Sequence, residues 1–322
     1  MQNSGNNNTL NINMLSNFSR IFMQKLMVMQ ALVGIFLYVN SLMIFTFLKK
    51  EVFREDTRYI LFAQTLFVDS AIMVLTDVML ILSIYQSRIQ MISCIFLCIV
   101  VTTLTTCTPL TLVAMCLERY VAICMPLRHA SISTSSRIRF FGFFIIWSIS
   151  SITSVFTFLA YISVVRPGAL FSYVVCSIEV MFEKEWHSQA RAIILLIFFL
   201  MMIVIILFTY IKMMIAARAA SSEKKKSTSK GLRTVLLHAV QMLLCMVQLL
   251  TPYIELPFWK VNIMVFNNVR YSNLIMFIIV PRCLSPLIYG LRDEKFFAVL
   301  RHYAVCGLIG FSQHYINKIE LN

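Results

Sequence analysis

Long stretches without charge constrain this chain before anything else. The segments 26–48, 91–117, 140–165 and 192–211 contain no Asp, Glu, Lys or Arg at all. Three more apolar runs, 59–85, 234–254 and 271–291, are of comparable length. A helix rises about 1.5 Å per residue, so roughly 20 apolar residues cross the hydrocarbon layer of a bilayer. No water-soluble core of a 322-residue chain could hide seven such segments, with 59% of residues apolar and only 13% charged. A soluble domain is nearer half apolar and a quarter charged. The alternating pattern of a membrane β-barrel is absent. No internal repeat is visible, and an odd span count argues against two equal inverted halves. The expected fold is therefore an all-α membrane protein, a seven-transmembrane helix bundle. It divides into an N-terminal tail (1–25), one transmembrane domain (26–291) and an inner amphipathic helix with its tail (292–322).

The cations set the orientation. With the N-terminus outside, the inner segments 49–58, 128–139, 212–233 and 292–322 carry 18 Lys and Arg. The outer side carries eight: Arg20, Lys25, Arg88, Arg166, Lys184, Arg191, Lys260 and Arg270. Cations accumulate on the cytoplasmic side, so the N-terminus is expected outside a multi-pass plasma-membrane protein. The net charge of +14 then belongs to anionic lipid rather than to nucleic acid. The tail lacks a signal-peptide layout, and its Asn7 and Asn17 stand in glycosylation sequons on the outer side. Cys94 and Cys176 face the oxidising compartment, where a disulfide is stable. Past the last span, Phe296, Phe297, Leu300 and Tyr303 share one helical face, which suggests a helix lying on the membrane. Cys306 beyond it is either an acylation site or a plain thiol.

Motifs narrow the class. Span three ends in AMCLERYVAICMPLRH (114–129), span two begins with TRYILFAQ (57–64), and span seven closes with PRCLSPLIYGLRDEKF (281–296). Together with seven spans these resemble the rhodopsin-like (class A) G-protein-coupled receptors, and within them the odorant receptors of the fish type. The resemblance implies a receptor that detects a small odorant-like molecule in the outer bundle and activates a heterotrimeric G protein, with sensory cilia one expected location. It matches Asn40 and Asp69 to the polar positions of spans one and two, and Cys94 and Cys176 to the family's disulfide. It also matches Trp147, Tyr210, Pro252, Pro286 and Tyr289 to landmarks of the later spans. Departures exist: span six reads Leu249-Leu250-Thr251-Pro252 where Cys-Trp-x-Pro is usual, span seven has Ser285 for Asn, and span five has Met202 for proline.

Physical reasoning assigns roles to these residues. An ionised group at the membrane's inner edge must pair or reach water. Glu118 is expected to hold Arg119 at rest and release it on activation to Tyr210, Tyr289 or a partner, with Tyr120 completing the motif. The inner end of span six, KSTSKGLRT (226–234), offers no acid to clamp Arg119, so the resting lock should be weak. Arg282 lies deep in span seven, where an Arg costs about 2.5–3.5 kcal/mol or more without a partner. Asp69 is the leading carboxylate because the resemblance implies that span two lies beside span seven with Asp69 near this level; Asp77 is the alternative, and Ser285 lies beside the same network. In many members of the family the Asp69 position helps bind sodium, so Arg282 is expected to act there as a tethered cation.

The ligand is expected between the outer helix halves. Thr102, Thr105 and Thr106 share one face of span three, either as pocket hydroxyls or as groups satisfied by their own helix. Tyr253, Glu255 and Tyr271 are further pocket candidates, although Glu255 pairs more simply with Lys260. A channel is disfavoured by the odd span count and the lack of a pore segment. An opsin is disfavoured because span seven has no lysine for a Schiff base. No metal-ligand spacing, phosphate loop or nucleophile elbow is present, so no enzyme activity, metal or cofactor is expected.

Overall fold

In the computed structural model the described residues are 3–126, 129, 136–177, 181, 184–219, 222–259, 263–284 and 296–301. Helix α1 spans Asn3–Lys49, the short α2 Glu51–Glu55, and α3 Thr57–Ile84. Strand β1 (Arg88–Gln90) leads into α4 (Met91–Cys124), followed by α5 (Ser136–Ile162). A 3₁₀ turn at Pro167–Phe171 and strand β2 (Tyr173–Val175) precede α6 (Glu185–Ala219) and α7 (Ser222–Trp259). Helix α8 (Ile263–Asn273) widens into a π-helix at Leu274–Ile279 and stays helical to residue 284. Among the described residues, five helices are long and apolar enough to cross a membrane: Met23–Lys49 of α1, α3, α4, α5 from Arg137, and α6 to Ala216. The sixth expected span lies in α7, whose Val235–Gln248 stretch is apolar but shorter. The seventh is described only as far as 284.

The loop expected over 212–233 is largely helical. Helix α6 continues to Ala219 and α7 starts at Ser222, so both extend beyond the apolar core. The Ala- and Lys-rich AARAASSEKKK favours this, because such residues lose little on entering a helix. At the other end, α1 likewise continues outward through the Asn-rich tail.

Helix α4 is the hub. It packs against α3, α5, α6 and α7. Of its most apolar window 56% is buried, against 22–33% for the other four spans. The peripheral helices instead turn large apolar side chains outward, such as Phe140, Phe141 and Phe144 of α5 and Leu196, Leu200 and Val204 of α6. Those faces suit lipid, while backbone groups are satisfied within each helix. The shared core holds Phe62, Leu66 and Ile72 of α3, Leu112 and Met115 of α4, Leu195 and Met202 of α6, and Met242 of α7.

Two features close the ends of the bundle. Outside, β1 pairs antiparallel with β2 (Ile89 opposite Val174), and Cys176, directly after β2, forms a disulfide with Cys94 in the first turn of α4. Closing a loop of this size, with a sequence separation of 82, is worth about 4.5 kcal/mol in the chain-entropy picture. Inside, Asp56 caps α3 by accepting from the Arg58 N–H at 2.9 Å. Phe53 of α2 then meets the rings of Tyr59 at 4.8 Å and Phe296 at 5.2 Å. Residues 296–301 are helical as expected, but the apolar face is divided: Phe296 is buried in this corner, whereas Phe297 is exposed. Aromatic area gains more against three other rings than at a wet interface.

Candidate functional site

At the inner end of α4, Arg119 Nε stands 3.6 Å from Glu118 Oε2. Neighbours on a helix rarely face each other, so the contact is an ion pair made by two side chains folding back, not an aligned hydrogen bond. Beyond α4 the chain curls under the helix: Met125 N–H donates to the Val121 carbonyl and His129 N–H to the Met125 carbonyl. That turn carries the His129 imidazole to Glu118, where Nε2–H donates to Oε1 at 3.1 Å. One carboxylate therefore divides itself between an Arg and a His. Tyr120 packs its ring on Phe208 of α6 at 5.8 Å, and Tyr210, two residues farther along α6, is half-buried against the core. Tyr289 lies outside the described residues.

A second charged cluster sits inside the helix bundle. Arg282 is 1% exposed and Asp69 fully buried, with Arg282 Nε 3.8 Å from Asp69 Oδ1. Thr108 of α4 donates to the same carboxylate oxygen at 3.0 Å. The guanidinium also donates through Nη1 to Gln248 Oε1 of α7 at 3.1 Å and to the Ile278 carbonyl inside the π-helix. π-helical turns recur at functional positions, and this one carries a carbonyl that takes a side-chain proton. Asp77, the alternative partner for Arg282, is instead hydrogen-bonded by Gln30 of α1. Asn40 is fully buried and donates to Ser70 Oγ at 3.0 Å. Ser285 lies outside the described residues.

The outer candidates separate. Thr105 donates to the Val101 carbonyl of its own helix at 2.7 Å. Thr106 donates to Thr102, Thr103 and, across to α5, the Ser150 carbonyl at 2.9 Å. Those two hydroxyls serve helix and interhelix packing. Thr102 is buried on the same face of α4. Thr106 also lines a cavity of about 10 Å³ with Pro109, Leu110, Leu195, Phe198, Met202 and Met246, room for one water at most. Glu255 is held by Asn273 (3.1 Å) and Arg270 (4.0 Å) of α8; Lys260, its expected partner, lies outside the described residues. Tyr271 faces α1, with Lys25 Nζ 5.2 Å from its ring centroid. Asn7, Asn17 and Tyr253 belong to helical backbone, their side chains outside the described set; Cys306 is outside the described residues.

Sequence reasoning missed Thr108, Gln248 and His129 in these clusters, and the burial of Arg191 outside them. Gln248 is a neutral amide in an apolar helix and carries no pattern. His129 follows Pro126 in what reads as a loop. Arg191, placed among the outer cations, is only 3% exposed and lies within α6; an Arg at a span boundary reads as solvated.

Comparison with known proteins gives two matches. The model of the 7 transmembrane receptor (rhodopsin family) fits residues 39–289. A zebrafish (Danio rerio) protein, odorant receptor 131-2, is 54% identical over 311 residues, covering 96% of this chain and 95% of that protein.

Proposed function

Because the chain belongs to the rhodopsin family of seven-transmembrane receptors, in its odorant-receptor branch, we propose that it binds a small odorant-like molecule between its outer helix halves and drives a heterotrimeric G protein inside. It is a multi-pass membrane protein. In this reading it acts as a receptor rather than an enzyme, in the plasma membrane of sensory cilia, with the N-terminal tail (1–25) and its sequons Asn7 and Asn17 outside. The bundle (26–291) carries the signal, and segment 292–322, with Cys306 as an acylation site, lies against inner-leaflet lipid.

The observation that carries the reading is the Glu118–Arg119 pair, 3.6 Å apart at the inner edge. Arg119 has a local anion at rest and, once that contact opens, a long cationic arm for Tyr210, Tyr289 or backbone carbonyls of the G protein. Two arrangements of similar energy are what a ligand needs in order to shift a population. Thr102 and Thr106 lie about 26 Å and 20 Å of helix from Arg119, so the signal passes by helix rearrangement and not by contact. Asp69 and Arg282 serve as a tethered ion pair, with the guanidinium in place of a free cation.

The test is expression in cells with a cyclic-nucleotide reporter, under a panel of water-borne odorants, with surface receptor quantified. At least one odorant should raise the signal, and Arg119→Ala should abolish the response at unchanged surface level. An Arg119→Ala receptor that signals like the parent would overturn the switch.

A further inference from the structure

Three sulfurs meet beneath the outer β1–β2 pair. Cys98 lies one turn inward of Cys94 on the same face of α4, and its Sγ is within 4.8 Å of both sulfurs of the Cys94–Cys176 disulfide. Cys94, Cys98 and Cys176 are each at most 2% exposed. Cys98 stays outside the disulfide and has contacts of its own. All three belong to one apolar cluster with Met91, Ile95, Tyr161 and Met181. A buried cysteine usually serves as a small hydrophobe. One set beside a disulfide differs, because a disulfide is the group that thiols exchange with.

Both cysteines of α4 are within reach of Cys176. Bonded sulfurs stand about 2 Å apart, so Cys98 Sγ has no more than about 3 Å to travel. A single change of side-chain rotamer moves a cysteine sulfur by about that much. Cys176 directly follows β2, and Arg88 opposite Val175 is the β1–β2 pair beside it. Moving the bond from Cys94 to Cys98 draws this end of β2 inward along α4. The next residue down that face is Thr102, one turn below Cys98.

We infer that Cys98 is a second disulfide partner of Cys176, so that the outer loop bonds to α4 in either of two registers one turn apart. The step is an exchange. Cys98 gives its proton to water, its thiolate attacks Cys176 Sγ, and the Cys98–Cys176 bond forms as the Cys94–Cys176 bond breaks. Cys94 leaves as a thiolate and takes a proton from water. One disulfide and one thiol stand on each side of the step, so it uses no oxidant. Only the thiolate attacks, so burial holds the exchange back until water reaches Cys98. The second partner stands without the receptor reading. Its consequence for odorants rests on that reading: the inner register brings the loop nearer Thr102 and makes the outer space shallower, which favours smaller ligands.

The experiment maps disulfides in the full-length protein. Thiols are blocked with N-ethylmaleimide, the protein is digested with chymotrypsin without reduction, and linked peptides are sequenced by mass spectrometry. Cleavage after Phe96 separates Cys94 from Cys98. In Cys94→Ser, most Cys176 should be linked to Cys98, the two electrons passing to the disulfide oxidoreductases of the secretory compartment. Surface protein should then exceed that of Cys94→Ser/Cys98→Ser by about threefold or more, since losing a native disulfide lowers abundance. Cys98→Ser should keep the Cys94–Cys176 bond and a normal surface level. Purified parent protein held at about pH 8.5, where an ordinary thiol is half ionised, should accumulate a Cys98–Cys176 peptide that Cys98→Ser lacks. If Cys94→Ser stays inside the cell, the same mapping on total membranes decides. Cys176 found blocked as a thiol in Cys94→Ser, or no Cys98–Cys176 peptide from the parent, overturns the inference. A Cys98–Cys176 bond with no odorant response in the cyclic-nucleotide reporter keeps the second partner and removes the receptor reading; an odorant response in the parent with Cys176 unlinked in Cys94→Ser does the reverse.

Discussion

Two Arg–carboxylate pairs in this bundle use the same chemistry in different surroundings. Arg282 and Asp69 are sealed at 1% and 0% exposure, whereas the Arg119 and Glu118 side chains keep 20% and 9%. The sealed pair is tied in on several sides, by Thr108 on the acid and by Gln248 and Ile278 on the base. Among the described residues the inner pair is tied through His129 on Glu118. In low dielectric, breaking a pair strands a charge, while at a wet boundary water replaces the lost partner. The sealed pair is therefore suited to hold helices together, and the boundary pair to change partners.

Substitutions separate these roles. The largest effect is expected for Arg282→Ala, which leaves Asp69 buried without its cation and should cost about 3–5 kcal/mol, read as loss of surface receptor and a lowered unfolding temperature. A normally expressed Arg282→Ala receptor would make the two pairs equivalent and break the contrast. Next, the parent should signal without ligand, since 226–234 offers no acid to hold Arg119, and Glu118→Gln should raise that basal signal several-fold at near-normal expression. Smaller still is His129→Ala. It frees Glu118 Oε1 to turn wholly to Arg119, so basal signalling should fall by about half or less. A rise would mean that His129 stabilises the lock instead of competing with it. Last, replacing sodium with an inert cation should leave agonist potency unchanged, because the Asp69 carboxylate already has a resident cation; a sodium-dependent shift would mean that Arg282 vacates the site.

Much of this contrast was legible in the residues. An Arg in an apolar run demands a carboxylate, and the resemblance to the receptor family put span two, with Asp69 near the right level, beside span seven. The Glu-Arg-Tyr run at the end of span three marked the boundary pair. The hub role of α4 was not legible, because the hydropathy of a span says that it is buried in something but not whether in protein or lipid. Gln248 and His129 were missed for a related reason: each matters through what folding brings beside it. The same holds for Thr106, whose hydroxyl spans to Ser150 of α5, and for Phe296, whose place beneath Phe53 depends on α2 turning the chain between the first two spans.

The crowding around α4 has a mechanical consequence. A rod gripped by four neighbours cannot tilt without loosening four interfaces together, whereas α6 and α7 each carry a flank of exposed apolar side chains suited to lipid. Fluid lipid yields where packed side chains do not. Opening at the cytoplasmic mouth is therefore expected to come from those two helices swinging about α4 as a fixed axle, and the hinge should lie where α6 and α7 meet α4, near Met202 and Met246.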